Sequence, residues 1–101
     1  MKMLMIVFRE SLAAHVHAML NECGVSAFTE LHNVAGKGET GPTVQFFLTS
    51  GANSMILAAV SEALASQLIE RFTRLKAEHE TRQPDERFSL HIFILACEQA
   101  L

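Results

Sequence analysis

Strand-like and helix-like spacings of apolar residues alternate along this chain in the order β-α-β-β-α-β. Residues 3–8 are apolar without alternation, which is typical of a central strand covered on both faces. Residues 11–23 carry apolar side chains at helical spacing, and the glycine after them, Gly24, is a typical helix end. Residues 25–34 mix β-branched, aromatic and polar side chains, as an exposed edge strand does.

The second half of the chain predicts a strand, a long helix and a final strand. Residues 43–49 alternate between two faces, which indicates the third strand. Turn residues at 51–54 are expected to open the second helix, which then continues to about Glu80. Its predicted apolar stripe comprises Ile56, Ala59, Val60, Ala63, Leu64, Leu68, Phe72 and Leu75. Pro84 ends the helical pattern, and residues 88–96 alternate as a fourth strand.

This order of elements predicts an α+β fold, the ferredoxin-like βαββαβ sandwich, with a four-stranded antiparallel sheet and two helices on one face. The other face of the sheet is left bare. The first and fourth strands are apolar on both sides, so several large side chains would meet water in a monomer, at about 1.5–3 kcal/mol each. We therefore expect a homo-oligomer whose sheets face one another, with a trimer or a dimer as the closed arrangements.

Composition limits the classes of protein that the chain can form. Its 101 residues predict a single domain, 1–101, and hydrophobic residues at 50% exclude a disordered chain. A net charge of −3, without a basic stripe, argues against duplex nucleic acid as a partner. Cys23 and Cys97 form no C-x-x-C motif and suit a reducing cytoplasm. No apolar stretch approaches the roughly 18 residues of a membrane span, so we expect a soluble protein without membrane insertion.

A glycine-rich run at residues 36–41 spells G-x-G-x-x-G, the pattern of a dinucleotide-binding turn. Such a turn follows a strand and opens a helix, whereas Pro42 and a strand pattern follow this run. The glycines are therefore predicted to join two strands. Two interpretations remain open: a flexible connection in which glycine supplies positive φ, and an anion-binding nest of backbone N–H groups to which Lys37 adds charge.

Several segments together resemble the PII signal-transduction proteins, a family of trimeric ferredoxin-like domains that sense nucleotides and small metabolites. Gly24-Val25 is similar to the glycine-valine with which the family begins its second strand. Residues 34–38 are similar to its V-x-G-x-G motif. Residues 92–95 and 98–100 resemble its I-F-V-L-P-V-E-E-A segment, so the resemblance extends from end to end.

The chain also departs from the family at two places. The family's V-x-G-x-G motif is followed by arginine and glutamine and then by a long mobile loop, whose tyrosine some members modify. This chain has Glu39 and Thr40 there, contains no tyrosine, and reaches the next predicted strand within a few residues, which predicts a divergent member with a shortened loop. The family's phosphate-supporting lysine before the last strand corresponds to His91.

The resemblance implies a regulatory protein that binds a small anionic ligand, such as a nucleotide or metabolite, in the cleft between subunits. The implied ligand-binding residues are Gly36, Lys37, Gly38, Gly41 and His91. Occupancy of the cleft would be relayed to a partner protein, for example a transporter. No cofactor is required under this hypothesis, and a nucleotide is a ligand rather than a cofactor.

Two further hypotheses belong to other classes. The trimeric CutA proteins, which are linked to divalent metals, share the fold, and five histidines and five methionines suit copper or zinc. His32, His91 and the methionines Met3 and Met5, which are expected to share one side of a strand, are the candidate ligands, although no C-x-x-C or H-x-x-x-H motif supplies a preformed pair. The third hypothesis is a structural adaptor without a ligand.

Catalysis has no support from the sequence. Cys23 closes a predicted helix, and the serines Ser11, Ser54 and Ser61 occur in capping or helical contexts without a nucleophile elbow. Their surroundings specify neither an activating base nor an acid-base pair. We therefore expect a protein that is not an enzyme.

Overall fold

Four strands form one antiparallel sheet in the computed structural model, which describes residues 1–36, 53–85 and 88–101. The strands are β1 (Lys2–Arg9), β2 (Thr29–His32), β3 (Asn53–Val60) and β4 (Leu90–Ala96), in the spatial order β2-β3-β1-β4. A short 3-10 helix (Glu10–Leu12) leads into α1 (Ala13–Glu22), and α2 (Glu62–Arg82) lies between β3 and β4. The predicted ferredoxin-like βαββαβ fold is confirmed.

The hydrophobic core lies between the sheet and the two helices. β1 contributes every second residue, Leu4, Ile6 and Phe8, each at most 1% exposed. The same core cluster contains Val16 and Leu20 of α1 and Leu68 and Phe72 of α2. Burial alternates along β1 because successive side chains of a strand point to opposite faces, and only one face meets the helices.

Register defines the composition of the two faces. Ile6 lies opposite Ile56 of β3 and Ile92 of β4, whereas Met5 lies opposite Leu57 and Phe93. Directly opposed residues share a face. We call the side of the sheet that carries Ile6, which packs on the helices, the helix face, and the side that carries Met5 the open face.

The open face consists mainly of apolar side chains, together with Thr29, His91 and, at one end, the opposed pair Arg9 and Asn53. Its apolar members are Met3, Met5, Val7, Leu31, Met55, Leu57, Ala59, Phe93 and Leu95. Phe93 is 55% exposed, Leu31 44% and Leu95 43% in the single chain. The predicted bare apolar face is therefore observed, and β1 is covered fully only on the side of the helices.

One sequence-based assignment is wrong: residues 53–60 form β3 rather than the first turns of the second helix. Ile56, Val60 and Ala63 fit a helical stripe, but Ile56, Ala58 and Val60 equally fit the two-residue period of a strand. Pairing with β1 along all eight residues decides between the two. The helix begins after Ser61, whose Oγ accepts a hydrogen bond from Leu64 N at 3.1 Å, as a typical N-cap does.

The position of β3 defines which residues connect it to β2. The strand that pairs with β2 begins at Asn53, so residues 33–52 connect the two. The predicted strand at 43–49, and with it the predicted short loop after the glycine-rich run, lies outside the described residues.

The remaining boundaries differ from the predictions only at element ends. β2 is limited to Thr29–His32 rather than residues 25–34, and β4 begins at Leu90. Gly24 has φ +83, which explains why glycine follows α1. Among the described residues, none of the helices combines the length and hydrophobicity that crossing a bilayer requires.

Candidate functional site

The two ends of the connection 33–52 meet in a defined stem. His32, the last residue of β2, lies opposite Ser54 of β3, and Val34 N–H donates to the carbonyl oxygen of Asn53 at 3.0 Å. Asn33 between them has φ 57, a left-handed conformation that asparagine tolerates better than most residues. The conformation of the chain is thus fixed at the base of the connection.

Gly36 follows this stem and is exposed. A Cβ atom added at Gly36 would meet no other atom within 4 Å, and its φ lies outside the left-handed region. The interpretation in which glycine supplies positive φ therefore does not hold at this position. A missing side chain here leaves backbone open to the approach of another molecule, which is the other use of glycine.

A polar relay links the stem to the end of β1. Ser54 Oγ, which is 0% exposed, donates a hydrogen bond to a carboxylate oxygen of Glu10. The same Oγ lies 3.3 Å from Nδ1 of His32. We call Glu10, Ser54 and His32 the stem relay, since it ties three segments of the chain together at one end of the sheet.

The sequence predicts roles for two members of the stem relay but not their connection. His32 is a candidate metal ligand and Ser54 a residue in a capping context, whereas Glu10 has no predicted role. Glu10 and Ser54 are separated by 44 positions along the chain. Because β1 and β3 pair antiparallel with Phe8 opposite Ser54, the residue just after β1 reaches that serine, and this register has no local sequence signal.

The predicted site residues are not brought together within one chain. His91 is exposed on the open face opposite Val7, in the edge strand β4. Gly36 follows β2, which is the other edge of the sheet. Three strand spacings of about 4.8 Å separate the two edges by about 14 Å. Lys37, Gly38 and Gly41 lie outside the described residues.

A second polar pair joins α1 to β2. His17 Nε2 lies 2.9 Å and 3.1 Å from the two carboxylate oxygens of Glu30, and its ring stacks on Phe28 with centroids 6.2 Å apart. These contacts hold β2, the shortest strand, against α1. His17 and Glu30 therefore have a structural role in joining α1 to β2.

Metal coordination finds no preformed centre in the described ranges. No group of three or more His, Cys, Asp or Glu side chains there is arranged to hold an ion. His32 and His91 belong to opposite edges of the sheet. Met3 and Met5 share the open face, as predicted, among other apolar side chains.

Comparison with known proteins identifies the family. The family model described as "Nitrogen regulatory protein P-II" matches residues 1–100. No curated protein matches the chain significantly.

Solved structures agree with the family model. CPII from Thiomonas intermedia K12, a structure bound to ADP, AMP and acetate, is 27% identical with a TM-score of 0.66, covering 92% of this chain and 81% of that one. A structure of CPII, described as a nitrogen regulatory PII-like protein, with ADP, AMP and bicarbonate aligns at 22% identity and a TM-score of 0.60, covering 99% and 94%. A PII-like signalling protein from Thermus thermophilus shares the fold at 15% identity, with a TM-score of 0.58 and coverage of 93% and 82%. The chain therefore belongs to the PII family of regulatory proteins.

Proposed function

We propose that this PII-family protein is a regulatory trimer that binds an adenine nucleotide together with a small anion such as bicarbonate in the cleft between its subunits. The observation that carries the proposal is the likeness to CPII, which was solved with ADP and AMP and, in another structure, with bicarbonate. The match of the family model over residues 1–100 supports a regulatory role for the bound ligand.

The geometry of the sheet supports a cleft shared by two copies. Gly36 and His91 belong to opposite edges of one sheet, so a site that uses both needs the β2 side of one copy beside β4 of another. The apolar open face supports assembly independently, because large exposed side chains such as Phe93 gain about 1.5–3 kcal/mol each when covered. Cyclic closure then repeats the same cleft at every contact.

The proposed ligand-binding residues are Gly36, Lys37, Gly38, Gly41 and His91. Backbone N–H groups of the glycine-rich run would bind the anion, Lys37 would add positive charge, and His91 of a neighbouring copy would complete the cleft. The stem at His32 and Asn53 fixes where the connection 33–52 starts and ends. Ligand binding would shift the conformational population of that connection, and a partner protein would recognise the shifted state.

We place the protein in a reducing compartment such as the cytoplasm. Cys23 and Cys97 are both free in the structure, and neither is fully buried. Free, partly accessible thiols suit a reducing environment.

Calorimetric titration of the full chain with AMP, ADP, ATP, cyclic AMP and bicarbonate tests the proposed ligand. At least one adenine nucleotide should bind with a defined stoichiometry. A Gly36→Ala variant should fold normally, because the added Cβ meets nothing within 4 Å, yet bind the nucleotide at least about tenfold more weakly if the ligand approaches the backbone. His15→Ala, on the exposed side of α1, is the matched control.

Sedimentation at low micromolar concentration tests the assembly. A trimer supports the shared cleft, whereas stable single chains would contradict it. Silence in every titration would contradict the ligand-binding role.

A further inference from the structure

We propose that Glu10 and Ser54 are positioning residues that keep the ring proton of the neutral His32 imidazole on Nδ1, so that Nε2 is a hydrogen-bond acceptor for a ligand. The role of Nε2 toward a ligand rests on the proposed ligand-binding function, whereas the position of the ring proton can be measured without any ligand.

Counting hydrogen atoms in the stem relay determines the tautomer. A serine hydroxyl has one proton, and an ionised carboxylate has none to give. Ser54 Oγ therefore donates its proton to Glu10 and has only lone pairs left for His32. Nδ1 of His32, 3.3 Å away, must then be the donor, which in a neutral imidazole leaves Nε2 without a proton.

The surroundings keep this arrangement in place. Ser54 is 0% exposed, and its backbone is fixed by pairing with Phe8 of β1 on one side and His32 of β2 on the other. His32 itself is exposed, so its ring is anchored through Nδ1 while the side chain remains accessible to solvent. Asn33 and the hydrogen bond from Val34 N–H to Asn53 fix the backbone directly after it.

An acceptor at this position recognises a particular class of ligand group. Nε2 would accept a hydrogen bond from an N–H or O–H group and would not bind a deprotonated phosphate oxygen, which is also an acceptor. The exocyclic amine of adenine and the hydroxyl of bicarbonate both offer such a donor. His32 lies shortly before Gly36 in the chain. It would therefore favour ligands that carry an N–H or O–H donor, without adding a positive charge to the site.

Nuclear magnetic resonance of the full chain, labelled with ¹⁵N-histidine and without ligand, tests the tautomer. At about pH 8, where imidazoles are generally neutral, the two ring-nitrogen shifts of His32 should report a proton on Nδ1. His32→Gln assigns the signal by its loss, and the His15 signal is the internal control. A proton predominantly on Nε2 in the wild type would overturn the proposal.

Two variants test whether the relay causes this state. Glu10→Ala removes the acceptor at an exposed position, so Ser54 can give its proton to Nδ1 and the proton of His32 should move to Nε2. Ser54→Ala removes the buried hydroxyl and should also abolish the preference for Nδ1. Unchanged ring-nitrogen shifts in Glu10→Ala, in a chain whose other resonances show it to be folded, would contradict the role of the relay.

Ligand selectivity then separates a binding role from a merely structural one. Glu10→Ala should weaken the donor-bearing ligand about fivefold, the effect of one neutral hydrogen bond, and leave its donor-free analogue unchanged. AMP is compared with purine riboside monophosphate, whose base has neither the exocyclic amine nor an N–H donor, and bicarbonate with nitrate, which lacks the hydroxyl. Weaker binding of AMP but not of its analogue assigns the contact to the base. Weaker binding of bicarbonate but not of nitrate assigns the contact to the anion.

Equal weakening within both pairs, or no weakening, would overturn the contact between His32 and the ligand. Ser66→Ala, an exposed serine of α2, controls for loss of a hydroxyl. Failure of every ligand to bind the wild-type protein would instead contradict the proposed function. The tautomer of His32 would still be tested, because that measurement uses no ligand.

Discussion

The two faces of the sheet are built from the same four strands, yet they reach very different degrees of burial. On the central strand β1, Leu4 and Ile6 of the helix face are 0% exposed, whereas Met5 of the open face is only partly buried. On the edge strand β4 the contrast is small, since Phe93 of the open face is 55% exposed and Ile94 of the helix face 49%. Side chains of comparable hydrophobicity therefore occur on both. The difference teaches that the two helices bury one face of the central strands within a single chain, while the single chain leaves apolar side chains of the other face in partial contact with water.

Ile6→Ala should have the largest effect on folding. Removing this fully buried side chain leaves a cavity between the sheet and the helices and should lower the free energy of unfolding by about 2–5 kcal/mol. Urea denaturation followed by circular dichroism measures it, since the chain has no tryptophan or tyrosine to report by fluorescence.

Met5→Ala, the adjacent position on the open face, is the matched control for Ile6→Ala. It should cost less than Ile6→Ala in dilute solution and approach the same cost as protein concentration rises and the open face is covered. Equal costs for both variants at every concentration would remove the distinction between the two faces.

Phe93→Asp should have the next largest effect, on assembly rather than on folding. A carboxylate placed within an apolar contact must be desolvated, so the variant should dissociate to single chains at concentrations where the wild type is assembled. Sedimentation velocity measures the change, and circular dichroism should remain that of a folded chain. Gln99→Asp, exposed beyond the end of β4, is the control that adds the same charge outside the sheet. Unchanged assembly in Phe93→Asp would show that the open face is not the contact.

Ser61→Ala should have a smaller effect, confined to the side of the helices. Loss of the N-cap bond to Leu64 N should lower the free energy of unfolding by about 1 kcal/mol without changing assembly. Thermal unfolding at fixed protein concentration measures it, with Ser66→Ala within the same helix as the control. A change in sedimentation would mean that α2 takes part in contacts between copies.

Arg74→Ala should have the smallest effect. Arg74 and Glu70 form an i,i+4 pair at 3.0 Å on the outer face of α2, where both side chains are more than half exposed. Such pairs contribute a few tenths of a kcal/mol and are screened by salt. The midpoint of thermal unfolding should change by no more than a degree or so, and a larger shift would indicate that this outer helix face is covered by another chain.

Sequence patterns predict β1, α1 and β4 to within a few residues, because α1 and β4 each show one clear period and β1 is a short unbroken apolar run. They failed at residues 53–60, where helical and strand spacing fit the same apolar residues and only pairing with β1 decides. Local spacing cannot report which strand a segment will pair with, and this information resides in the register of the whole sheet.

The ligand-binding residues stay predictions, and they rest on resemblance rather than on spacing. Gly36 and His91 follow from the resemblance to the family, and the structure adds that they belong to opposite edges of the sheet. The stem relay was not predictable, since Glu10 and Ser54 meet only because β1 and β3 are paired. A hydrogen bond between residues so distant in sequence has no signature in composition or periodicity.

The closed stem of the connection 33–52 has an evolutionary consequence. Its two ends are joined by adjacent residues of paired strands, with Val34 bonded to Asn53 and His32 opposite Ser54. Insertions, deletions and substitutions between these ends can accumulate without displacing the strands on either side. The same sheet can therefore be inherited by descendants whose connections differ in sequence or length.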